Sequence, residues 1–155
     1  MWTVLSDDAR AVIGRRGGLV VAVLYAPLDV PFFDTLDAHL AAADLPPRLA
    51  LLLVRAGASP GKMSPEARER TQALLRREGA RLAGFAYVNG GSGLKAGLLR
   101  GAMNAALVAA GFTGKVFTDT GEALAWLAGL PGAPPLSGAE RAELRALVAG
   151  LEARA

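Results

Sequence analysis

The sequence predicts an α/β domain: a mixed β-sheet with an N-terminal meander, helices packed on it, and one added C-terminal helix. Three observations carry this. The chain has 155 residues, 52% of them apolar, which is enough for one real core and too little for two comfortable domains. Leu19 to Tyr25 and Leu49 to Val54 are near-continuous Val- and Leu-rich runs, the pattern of strands buried on both faces. After the first run, helix-period stretches alternate with short apolar runs, as in a sheet covered by helices.

The elements follow in order. Trp2 to Leu5 predicts a first strand, Asp7-Asp8 a turn, and Ala9 to Ile13 a second strand. Arg15-Arg16-Gly17-Gly18 reads as a hairpin connection, because glycine reaches positive φ at no steric cost. Pro31 starts a helix whose stripe is Phe32, Phe33, Leu36 and Leu40. Pro46-Pro47 should end it, since neither residue can donate into a helix. Ser64-Pro65-Glu66 combines a cap, a proline at the first helical position and an acid in the first turn, and predicts a helix to about Glu78. Leu82 to Val88 is the next strand, Leu94 to Ala110 a helix rich in small residues, and Lys115 to Phe117 a short strand. Asp119 with Glu122 caps a further helix with Ala123, Leu124, Trp126 and Leu127 inward. Residues 131–136 form a proline-rich linker. Ser137 and Glu140 form a capping box before a last helix over 137–155, with Leu144, Leu147, Val148 and Leu151 on one stripe. The body of the domain is thus expected over 1–130.

Composition excludes several classes. With no cysteine there is no disulfide framework and no thiolate metal site. No apolar run approaches the ~18 residues of a membrane span. Met1-Trp2-Thr3 lacks a basic region followed by an apolar core, so no signal peptide and a cytoplasmic location are expected. The net charge is +3, and Arg and Glu are interleaved along the helices. Interleaving marks solvated helix faces and not the clustered basic patch of a nucleic-acid binder.

Candidate sites are few. Gly91-Ser92-Gly93, with Lys95 after it, precedes a helix and could cradle an anion. Its glycine spacing is neither the dinucleotide fingerprint nor a P-loop. The one histidine, His39, has no partners for a metal site and sits at the edge of a packed face. Asp34 and Asp37 could share a helix face; exposure of that face to solvent explains them more simply than paired acid–base catalysis. Phe32, Phe33, Phe85, Phe112, Phe117 and Trp126 fall at expected core positions. No catalytic residue, metal or cofactor is assigned.

The segment V-F-T-D-T-G-E-A-L-A-W-L, Val116 to Leu127, resembles the closing strand and helix of a group of bacterial proteins with a STAS-like fold, the fold of anti-sigma-factor antagonists. The order of elements over about residues 2–130 is similar too. The resemblance implies a non-enzymatic regulatory domain that binds a protein partner. In STAS antagonists a serine at the start of a helix after a central strand is phosphorylated. The matching junction here holds Ser59 and Ser64. It lacks the usual Asp-Ser pair, and Ser64 is explained as a helix cap. The alternatives are a small-molecule or lipid carrier with a pocket between sheet and helices, and a phosphate-handling enzyme using the loop at 90–95. The last helix docks either on its own domain or in a symmetric homodimer.

Overall fold

The computed structural model describes residues 1–42, 44–57, 64–90, 94–109 and 111–155, without the side chains of Lys95, Ala96, Leu99 and Ala106. The chain is an α/β fold. Its strands are β1 (Thr3–Asp7), β2 (Ala11–Arg16), β3 (Leu19–Leu24), β4 (Leu49–Arg55), β5 (Leu82–Asn89) and β6 (Gly114–Phe117). Its helices are α1 (Val30–Leu40), α2 (Pro65–Glu78), α3 (Leu94–Ala109), α4 (Thr120–Ala128) and α5 (Gly138–Glu152).

The six strands lie side by side in chain order. β1, β2 and β3 pair antiparallel; β3 to β6 run parallel. Each parallel step needs a crossover, which α1, α2 and α3 supply. Alternate residues of the central strands then face opposite layers. Val20, Ala22, Leu24, Leu51, Leu53, Phe85 and Tyr87 meet the stripes of α1 and α2, with Met103 and Leu107 of α3 at the margin. Leu19, Val21, Val23, Leu52, Val54, Ala86 and Val88 meet α4 and α5. Both faces of β3 and β4 are buried, as their unbroken apolar runs require.

Two glycines serve definite needs. Gly17 adopts φ +57° in the two-residue β2–β3 turn, where an L side chain is strained. At Gly14 the indole of Trp2 lies where a side chain would begin, 2.2 Å from the place of a Cβ.

Several boundaries differ from the sequence expectation. The first strands extend further toward the turns: Asp7 ends β1, while Arg15 and Arg16 belong to β2. Ladder pairing holds these polar residues at the ends of their strands, where their side chains reach water. α1 stops at Leu40, well before Pro46. Leu40 completes its buried stripe, Ala41 and Ala42 are exposed, and tight turns bring Leu45 back toward the core. Trp126 and Phe112 are half-buried rather than core residues. Trp126 packs its ring 5.5 Å from that of Phe117 and closes the margin of the α4 layer.

The linker after α4 returns the chain across the sheet, and α5 docks on its own domain. Leu144 and Val148 are buried, and Leu147 and Leu151 pack beside them. At the start of α5, Arg16 pairs with Glu143 at 2.7 Å and Glu140 at 3.3 Å. At its end, Arg154 pairs with Asp7 at 2.9 Å and lies over the Tyr25 ring. The apolar stripe that a homodimer through this helix would need is therefore spent in cis.

Candidate functional site

The acidic cluster on α1 resolves into structure. Asp29 caps α1 by accepting from Phe32 N–H at 3.0 Å, and it pairs with Arg10. Asp34 and Asp37 both accept from Arg70 of α2, and Asp37 also accepts from Arg77 at 2.6 Å. These bonds staple α1 to α2 and leave no free carboxylate pair. His39 sits half-buried at the margin of the same helix. Ser64 is the cap of α2, accepting from Ala67 N–H at 3.1 Å. Ser59, Gly91, Ser92 and Gly93 lie outside the described residues, as does the side chain of Lys95, whose backbone belongs to the first turn of α3.

The carboxyl ends of parallel strands are where α/β sheets place ligands. Here Arg55 ends β4 in register with Asn89, the last residue of β5. Asn89 is buried, and its carbonyl accepts from Arg100 of α3 at 3.5 Å. Tyr87, on the same face, has its hydroxyl pKa pushed up by burial, with Arg55 opposing. The Arg100 bond ties α3 to this end of the sheet. Sequence reading passed over these residues because each stands alone in its strand; only the register brings them together.

No deep pocket accompanies them among the described residues. Two depressions hold about 200 Å³, by Arg10 and Phe32, and about 90 Å³, by Leu75 and Phe112. Small-molecule sites run from about 300 Å³ upward. Among the described residues, no cluster of three or more His, Asp or Glu could hold a metal, and no helix is long and apolar enough to cross a membrane.

α3 is the unusual element. It packs on the edge strand through Met103 and Leu107, and Asn104 Oδ1 accepts from Val116 N–H at 2.8 Å. That bond satisfies a strand donor and fixes the helix's rotation. The opposite face then points to solvent. Leu94, Leu98 and Val108 are 82%, 66% and 74% exposed. Between them Gly97, Gly101, Ala105 and Ala109, all exposed, form a row at i,i+4 spacing, which is one ridge line of a helix. The sequence signal was that row, together with the absence of Asp and Glu from residues 79–118.

The fold and this face together define an α/β domain with a helix surface left uncovered. No protein-family model, curated protein or solved structure matches the chain.

Proposed function

We propose that the chain is a non-enzymatic STAS-like regulatory module of the bacterial cytoplasm, working by binding a protein partner through α3. The observation that carries the reading is the exposed apolar face of α3. Soluble domains seldom leave three large aliphatic side chains together on one helix face unless something covers them. Two further features support it. The resemblance segment forms β6 and α4, with Asp119 accepting from Glu122 N–H as a helix cap. The β-α steps climb the sheet in chain order, as expected of that fold. The depressions described above are too small to favour a carrier. A phospho-switch at Ser64 is not part of the proposal, since its hydroxyl oxygen is engaged as a cap.

The test uses Leu98→Glu. Because Leu98 is 66% exposed, the variant should melt within about 0.5 kcal/mol of the parent. In-cell crosslinking of both forms should then recover a protein with the parent chain that is lost with the variant. An identical crosslinked set would defeat the proposal.

A further inference from the structure

We propose that the carboxyl end of the sheet, between Arg55 of β4 and Arg100 of α3, is a binding site for a phosphate group, taken up as the free ion or as the head of a small phosphate ester. The site is independent of the protein-binding reading above. It uses the side of α3 that faces the sheet, whereas a protein partner would use the outer side.

Residues well separated in sequence meet here. Leu49, Leu51 and Leu53 face the layer of α1 and α2, so alternation puts Arg55 on the same face where β4 ends. Phe85 and Tyr87 do the same for Asn89 where β5 ends. At Tyr87, burial raises the hydroxyl pKa and the Arg55 charge draws it back, as a guanidinium on that face would. α3 lies over this face through Met103 and Leu107. Arg100 stands on the same side of the helix one turn earlier, and its Nη1 donates to the Asn89 carbonyl at 3.5 Å. Arg55 is in register with that same Asn89. Two guanidiniums from different elements therefore reach one residue.

Like charges brought together call for an anion. The surrounding sequence supplies none: residues 45–65 and 79–118, which hold β4, β5, α3 and β6, contain no Asp or Glu. The carboxylates on either side are committed. Asp29, after β3, caps α1 and pairs with Arg10. Asp119, after β6, caps α4 and pairs with Arg145 at 3.8 Å. Arg55 and Arg100 are half-buried and Asn89 is buried, so a charge bound here is partly withdrawn from water and its attraction to both is strengthened. α2 and α3 also begin at this end, and the positive ends of their dipoles add to the field.

The number and direction of the donors select the ligand. One guanidinium fork satisfies a carboxylate, whereas a tetrahedral dianion matches two forks that approach from different elements. A guanidinium has more N–H donors than one carbonyl uses, so Arg100 keeps its bond to Asn89 while it donates to the ligand. A compact ion held by hydrogen bonds needs no deep apolar pocket. An extended polyanion would need a basic track, and Arg16, Arg70, Arg77 and Arg81 are instead paired with carboxylates.

The experiment titrates the full chain with inorganic phosphate at constant ionic strength and follows backbone amide shifts. Saturable shifts should centre on Arg55, Asn89 and Arg100, and acetate should bind at least about tenfold more weakly. Arg55→Gln and Arg100→Gln should each weaken phosphate binding at least about tenfold. Arg76→Gln removes the same charge from an exposed residue in the last turn of α2, at the opposite end of the sheet, and should leave the affinity within about twofold. If the Gln variants fail to fold, Arg55→Lys and Arg100→Lys carry the test: they keep the charge, lose the planar fork, and should each weaken binding at least about threefold. Glycerol phosphate separates the sources. Tighter binding than phosphate assigns the site to an ester, and equal or weaker binding assigns it to the free ion. The absence of saturable shifts, shifts centred elsewhere, acetate binding as well as phosphate, or an equal loss in Arg76→Gln would each overturn the proposal. So would parental affinity in the folded Arg55 and Arg100 variants.

Discussion

The Tyr25 hydroxyl donates to the Leu151 carbonyl at 2.8 Å, joining the end of β3 to the last turn of α5 across 126 residues of chain. Burial raises the hydroxyl's pKa, against the opposing pull of Arg154, so the phenol stays a donor throughout the neutral range. Tyr25→Phe keeps the ring under Arg154 and removes only the bond. It should cost about 1 kcal/mol, read as faster hydrogen exchange confined to the end of α5.

Trp126→Ala should destabilise by about 2 kcal/mol, less than the roughly 3–5 of a fully buried ring. The indole is half-exposed and its main contact is Phe117. Urea unfolding of the variant checks this; a loss above about 4 kcal/mol would mean the ring supports far more of the α4 layer than its exposure implies.

Asn104→Ala removes the acceptor for Val116 N–H at a residue only 5% exposed. A buried donor left without a partner costs about 1–3 kcal/mol. It also uncovers a sheet edge, so concentration-dependent aggregation should accompany the lower melting temperature.

Acid should loosen α5 before the sheet. The Ser137 backbone N–H, helped by Arg16, holds Glu140 below the usual carboxylate range, and Arg154 does the same for Asp7. Groups with lowered folded pKa values contribute stability above their unfolded values, and lose it as pH falls through the carboxylate range, about 4 and below. Glu152 opposes them: burial and then Asp119 push its pKa up, so its protonation relieves strain. Glu140→Gln retains the capping geometry without the charge. Exchange protection in α5, taken relative to unstructured amides at each pH, should therefore fall less steeply with acid in that variant than in the parent.

Ser64→Ala should lower stability by about 1 kcal/mol through the lost cap. Quantitative phosphorylation of Ser64 in cells, with a matching change in partner binding, would show that the hydroxyl does more than hold the helix.

Element order was legible because local signals agreed with tertiary need. Asp119, Ser64 and Ser137 each cap the helix their neighbours predict, and the unbroken runs in β3 and β4 are buried on both faces. The errors lie where tertiary contacts override local preference. α1 ends once Leu40 is buried, with no proline required. Asp7 joins a strand because it pairs with Val12 in the β1–β2 ladder, and its carboxylate finds a partner, Arg154, at the other end of the chain. The candidate site was harder to read. A helix rich in Gly and Ala is ambiguous until its rotation is known, and that rotation depends on Asn104 reaching Val116, a bond without any sequence pattern of its own.

Sequential strand order also bears on how the protein is made. Each strand can pair with its predecessor soon after leaving the ribosome, so the sheet can grow step by step during synthesis. The face lined by Leu19, Val21 and Val23 has a different timetable. Its cover, Leu144 and Val148, is translated after every strand is complete. A nascent chain therefore carries a finished sheet that α4 covers only in part, bare over β3 until α5 emerges, and a holdase chaperone should engage it in that interval and release it as Arg154 reaches Asp7.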